Sequence, residues 1–416
     1  MPPHITAASV FWAVTDQDRS MRRAAYLNPD VPNGLGKFAT IWLMLIFMSV
    51  SILNSSVALA APRENWKLSC YAYRDVNRNG VFDMGDRPYG ALPIKMHRPD
   101  GTFRTLRSNL DGFANFKVQF GETEDALIHE PGTYRVEALV PPGWDSTSEM
   151  DRQTLHMLRL PDAPGGMFVK DTCRPIGVAP ILKIRGTFSV TENVPIDKFE
   201  VFLTDSDGKK FNVPHSKSGH FEFAGYPSEW LLEIQNDQGA DVYSRRLELK
   251  DAAILLGQID LAQPWLEKPE SAIETVRFDD LTISDALFEI PSGYHGLNWL
   301  NWISVHNRFY LGAGYVNSTV SSEYVAYNSS GTPARIWSDE PFDFVGTYIS
   351  VAWTRGSEKD VVVRAWRGDE LVHEDRMRLT RAGPIYFAAG YQQITKLEFR
   401  SEIYERITLD DFSFRR

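Results

Sequence analysis

LSCYAY at residues 68–73 passes through Arg74 into DVNRNGVFDMGD at residues 75–86. The first six residues alternate in the manner of a β-strand. The next twelve match a calcium loop, whose oxygen ligands fall at positions 1, 3, 5, 7, 9 and 12 with glycine at 6. Those positions are Asp75, Asn77, Asn79, the Val81 carbonyl, Asp83 and Asp86, and Gly80 falls at the sixth. Position 12 is Asp rather than the longer bidentate Glu, so reach is shorter and affinity lower. The opposing possibility is a polar Asx-rich turn that holds no ion. A strand in front of the loop, where a helix would normally stand, indicates a β-domain with a built-in cation site.

Outward from this stretch, short alternating runs continue along the chain. Examples are residues 134–139 (YRVEAL), 199–203 (FEVFL), 221–223 (FEF) and 361–366 (VVVRAW). Gly, Asp, Asn and Pro break them, the pattern of β-sandwiches. No sustained helical periodicity follows residue 62, although short helical turns are expected near 148–157. The fold class is therefore all-β: two tandem small sandwiches, Ig-like or transthyretin-like, followed by a jelly-roll sandwich.

Linkers are expected around residues 173–180 (CRPIGVAP) and 262–271 (AQPWLEKPES), giving domains at 66–178, 179–263 and 272–416. The first two follow one plan: a strand, an Asp-Gly hairpin (Asp100-Gly101; Asp207-Gly208), a Gly-aromatic strand, a proline corner and an outgoing strand. Asp-Gly supplies the positive φ angles of a tight hairpin.

Residues 1–61 read as an N-terminal extension and secretory signal. Lys37 precedes an apolar run at 38–53, and Ala58-Leu59-Ala60-Ala61 supplies an A-x-A site. Met21 offers an alternative start, Arg22-Arg23 a twin-arginine signal, and an uncleaved segment a membrane anchor. An exported chain meets an oxidising compartment, so its two cysteines, Cys70 and Cys173, are expected to pair. The net charge of −10 lacks the basic footprint of a nucleic-acid binder. The chain shows no H-E-x-x-H, paired C-x-x-C, G-x-S-x-G or P-loop. His215 and His220 either share a metal at i, i+5 or, lying in a Ser/Gly-rich turn, stand as solvated loop residues.

The motifs around the loop resemble the B-type domain of bacterial serine-aspartate-repeat adhesins. The matching positions are Asp75 to Asp86, Asp111-Gly112 through Phe116, Pro131-Gly132 through Val136, and Pro141 through Trp144. That resemblance implies a seven-stranded, calcium-stabilised stalk that provides spacing rather than chemistry. The family's serine-aspartate run and wall-sorting tail are missing here. The second domain is loosely similar to carboxypeptidase-regulatory-like sandwiches.

Residues 272–416 open with Phe278-Asp279-Asp280-Leu281 and close with Leu409-Asp410-Asp411-Phe412. With residues 294–302 (YHGLNWLNW) between them, this domain resembles a secreted jelly roll whose fold is like that of carbohydrate-binding modules. Two expectations follow. Asp279, Asp280 and Asp411 meet around a second structural calcium, or stand as ordinary surface carboxylates. Tyr294, Trp299, Trp302 and Tyr315 present flat faces to sugar rings, or pack the core. The chain is thus expected to be a non-catalytic extracellular or cell-surface binding and adhesion protein, with carbohydrate or a surface protein as ligand. A structural component that binds protein is the second reading, and a polysaccharide-active enzyme the third.

Overall fold

The structure, a computed structural model, describes residues 67–118, 126–159, 167–191, 194–263, 273–281, 287–321, 323–353, 358–401 and 405–416. Residues 1–61, where a signal was expected, and most of the expected 262–271 linker lie outside these residues. Three β-sandwiches follow one another along the chain.

In the first sandwich, Lys67–Arg74 is central to one sheet. Phe113–Lys117 and Arg87–Pro88 pair with it antiparallel and Ile176–Pro180 parallel, with Trp144–Ser146 beyond. Phe103–Arg107, Pro93–His97, Gly132–Ala138, Arg152–Arg159 and Met167–Val169 form the second sheet in that order. Alternation decides the facing: Leu68, Cys70 and Ala72 point inward to meet Ile94, Met96, Phe116, Tyr134 and Val136. Cys70 and Cys173 form a disulfide with Cα atoms 5.1 Å apart.

Two expectations need correction here. Residues 176–180 are a wholly buried strand rather than a linker, because Ile176 and Val178 complete the first core. Residues 152–159 are a strand, not helical turns; Leu155 and Met157 alternate inward.

The second sandwich sets His220–Ala224, Lys183–Ser189 and Ile254–Leu256 against the sheet Lys210–Val213, Phe199–Asp205, Ser228–Asn236 and Asp241–Leu249. Ile184, Phe188, Leu203, Trp230 and Leu232 fill it.

The jelly roll is organised by Ala334–Trp353, a strand of 20 residues. Its first part pairs with Tyr391–Ser401 and its second with Arg406–Arg415, through register shifts that let one strand serve both sheets. The first and last strands are neighbours, with Val276 opposite Phe412.

The sandwiches are fused rather than strung out on free linkers, and Glu64–Arg416 forms one compact unit. Ile254–Leu256 of the second sandwich pairs in parallel with Ile385–Ala388 of the jelly roll, so one sheet crosses both. Arg245 donates to the Ala388 and Val345 carbonyls across the same junction. From the first sandwich, the buried Arg74 donates to the carbonyls of Asp251 (2.6 Å) and Thr319 (3.3 Å), one in each of the other two. The Asn317 side chain bonds both the N–H and the C=O of Gly90. Trp144 reaches the jelly roll at Gly383, where a Cβ would come within 2.4 Å of its ring.

Candidate functional site

The loop begins where the Lys67–Arg74 strand ends, and its carboxylates organise the backbone. Asp75 is buried; its carboxylate accepts the N–H groups of Asn79 (3.2 Å) and Gly80 (2.8 Å). Asn77 Oδ1 accepts the Asn79 N–H, and Asn79 Oδ1 accepts the Val81 N–H. Asp86 accepts the N–H groups of Val76 and Asp83, both at 3.0 Å. Asp83 receives the side-chain amides of Asn77 and Asn79. Gly80 has φ +76°, and a Cβ there would meet the Thr147 carbonyl at 2.7 Å. The sixth position therefore needs glycine both for the turn and for docking on the neighbouring backbone.

The charge of the loop is felt next door. Tyr73 is pushed up to about 12 by burial, and then by the negative charges of Asp75, Asp86 and Asp83. Burial also raises the Asp86 carboxyl. The donor set consists of carboxylate, amide and carbonyl oxygens, which suits a hard cation. Among the described residues, however, no three His, Cys, Asp or Glu side chains are grouped closely enough to hold a metal by themselves. In this loop the carboxylates are interleaved with amides. An ion at the centre requires Asn77 and Asn79 to turn oxygen, rather than nitrogen, toward Asp83.

The second expected cation site does not assemble. Arg277 Nε lies 3.6 Å from Asp411 Oδ1, so a guanidinium stands where an ion would be needed. Asp280 instead accepts the Tyr294 hydroxyl at 2.5 Å and faces His295 at 3.9 Å. The charge of Asp279 acts on both the Tyr294 hydroxyl and the Asp411 carboxyl. The two histidines are also separate: His215 Nε2 bonds the Phe199 carbonyl, and His220 Nδ1 faces the Thr187 hydroxyl.

Asp410, next to Asp411, is buried and accepts the Val320 N–H at 2.7 Å and the Ser321 N–H at 3.1 Å. Burial, then the charge of Asp411, pushes its carboxyl up to about 6 from the ordinary 3.8. The native state therefore holds a proton that the unfolded chain has released between those two values. This contribution to stability is complete below about pH 4 and is lost as pH rises through about 6. Urea unfolding at pH 4.5 and 7.0 should show a decline of about 2 kcal/mol from this group. Asp410→Asn should flatten the slope; an unchanged slope would disprove the assignment.

The aromatic residues expected to meet sugars are largely core. Trp302 and Tyr315 have no exposed surface and Trp299 only 5%. Trp299 packs on Phe278 and Phe412 and donates to the Tyr294 carbonyl; Trp302 packs on Phe399. Tyr315 lies among Tyr310, Tyr327 and Arg406. Only Tyr294 is partly exposed, and Asp280 already holds its hydroxyl. The reason is positional: Trp299 and Trp302 fill the core between the jelly roll's sheets, and Tyr315, on the helix Ala313–Ser318, fills a separate cluster with Val305, Val325 and Tyr327.

A different aromatic pair lies on the opposite, outer face. Strand register puts Asn298, Trp337, Lys396, Trp366 and Leu371 in one row across five strands. Trp337 and Trp366 are both partly exposed, and Lys396 Nζ lies 4.4 Å over the Trp366 ring. The next row is Leu300, Arg335, Glu398, Arg364 and Glu374. Two strands apart, the tryptophans are separated by roughly 10 Å of sheet. Period-2 alternation carried this signal: Ala334 and Ile336 face the core, so Arg335 and Trp337 must face out.

No family model matches the chain, and neither does any curated protein. Among solved structures it is similar to the Bacillus anthracis TIE protein, at 13% identity over 47% of this chain and 34% of that one, with a TM-score of 0.19. The shaft pilin SpaA of Lactobacillus rhamnosus GG gives 12% identity over 47% of this chain and 96% of the pilin, with a TM-score of 0.20. CBM51-2 in complex with GlcNAc and INT domains from Clostridium perfringens ZmpB gives 12% identity over 56% of this chain and 48% of that one, with a TM-score of 0.23. The chain thus spans about a third of the TIE protein's length. Scores this low decide nothing about the chain, and the functional reading rests on its own residues.

Proposed function

We propose that the chain is an exported, non-catalytic binding or adhesion protein, acting at the cell surface or outside the cell, whose jelly roll contacts carbohydrate. The row Trp337–Lys396–Trp366 carries this reading. It sets a partly exposed ring beside a cation on a regular sheet face, where a sugar's apolar face stacks and its hydroxyls meet polar neighbours. The fused first and second sandwiches hold that face rigidly. A glycan array probed with the full chain, with and without calcium, tests the proposal. Signal on defined glycans is expected; a blank array in both conditions would remove it.

In this reading Asp75, Asn77, Asn79, the Val81 carbonyl, Asp83 and Asp86 hold calcium, which ties the end of the first strand to the loop. The role is stiffening, as in the adhesin B-type domains that this segment resembles. At a concentration about ten times its Kd, the ion should add about 1.4 kcal/mol to stability. Calorimetry should detect one binding event, and EDTA should lower the melting temperature. No heat of binding together with an unchanged melting temperature would leave an ion-free turn.

The second reading, a structural component that binds protein, draws on one observation. The loop tip exposes Val81 (61%), Phe82 (47%) and Met84 (100%) in close succession.

A further inference from the structure

On a chain with net charge −10, the outer face of the jelly roll is locally basic. The registered rows across its strands place Lys396, Arg335, Arg364, Arg376, Arg378 and Arg400 on one side of the sheet, against three acids, Asp360, Glu374 and Glu398. All three acids are engaged, Asp360 accepting from Arg378 Nε at 3.1 Å. Glu398 accepts from Arg335 Nε at 2.8 Å, and Glu374 accepts from Arg364 Nε at 2.7 Å and Arg376 Nη2 at 3.0 Å. Lys396 has the Trp366 ring as its neighbour and, among the described residues, no carboxylate partner. Arg400, opposite Val362, has no acidic partner among the described residues.

We infer that this face takes an acidic polysaccharide, one bearing uronate carboxylates or sulfates. A sugar ring lies on Trp337, and the anionic groups fall at Lys396 and Arg400. The inference rests on the reading that the face binds carbohydrate, and adds the charge class of the ligand. Lys396 and Arg400 lie four residues apart on one strand face, about 13 Å. That separation suits charges repeated along a sugar chain. A cation without a carboxylate partner among the described residues can form a charge-assisted hydrogen bond with a carboxylate or sulfate.

Single-stranded nucleic acid is the competing polyanion. It is bound on successive open aromatic platforms. Here Lys396 covers one of the two rings, so the row does not offer successive open platforms.

The test is affinity electrophoresis of the full chain through gels containing polygalacturonate, heparin or a neutral β-glucan, with an oligothymidylate in a parallel anisotropy titration. The acidic gels should retard the protein, less so as salt rises from about 50 to about 200 mM. Lys396→Gln and Arg400→Gln should each weaken binding about tenfold, the scale of one hydrogen bond to a charged group. Melting temperatures should stay unchanged. Retardation by the neutral glucan alone, lost in Trp337→Ala but kept in Lys396→Gln and Arg400→Gln, would overturn the acidic class and leave the carbohydrate face standing. Tighter binding of the oligonucleotide than of either acidic polymer, or no retardation in any gel, would overturn both.

Discussion

Replacing Arg74 by alanine should cost about 3–5 kcal/mol and split a single unfolding transition into at least two. Arg74 is buried at the junction of all three sandwiches. Its guanidinium donates to the Asp251 carbonyl in the second and the Thr319 carbonyl in the jelly roll, and lies 5.8 Å from the Trp144 ring centre in the first. Burial lowers its pKa, an effect opposed first by the negative charge of Asp251. Alanine would leave two carbonyls short of a donor at about 1–3 kcal/mol each, together with a cavity the size of the lost side chain. Arg74→Met restores most of the volume without the donors and should recover only part of the loss. Urea unfolding of the full chain, followed by tryptophan fluorescence and circular dichroism, gives the comparison. A loss below about 1 kcal/mol with coincident transitions would mean that the junction does not depend on Arg74.

The second large effect belongs to the disulfide. Cys70 and Cys173 are 103 residues apart in sequence, and linking them closes most of the first sandwich into one loop. The chain-entropy treatment gives about 4–5 kcal/mol for a loop near this length. Cys70 is fully buried in the Lys67–Arg74 strand, so alanine there also removes packing. The Cys70→Ala, Cys173→Ala double variant should therefore unfold at much lower urea, and the wild type in reductant should behave similarly. Equal thiol counts before and after reduction would show that the pair does not form. A difference under about 1 kcal/mol would mean that the unfolded chain is already compact without the bond.

What could be read in advance followed from local rules. The turn at 75–86 was legible because Asx side chains that fold back onto backbone N–H groups, with glycine at the sixth position, mark a break after the strand. The strand Lys359–Arg367 was legible because VVVRAW at 361–366 alternates inward and outward. Long-range packing was not. Pro175 and Pro180 made the intervening residues look like a linker, yet Ile176 and Val178 are covered by a parallel neighbour about 100 residues earlier. The pairing of Ile254–Leu256 with Ile385–Ala388 leaves no local trace either, so the sandwiches read as separate beads. The tryptophans divided along the same line. In NWLNW, apolar and polar neighbours gave no clear phase, and both rings went inside. In ARIW and VVVRAW the phase was available, and it sends Trp337 and Trp366 out.

The most direct test of the binding reading compares wild type with Trp337→Ala on a glycan array, with melting temperatures measured in parallel. The outer-face account predicts signal from the wild type, loss of most of it in the variant, and closely matching melting temperatures. Undiminished signal from a folded Trp337→Ala protein would contradict it and place recognition elsewhere on the molecule.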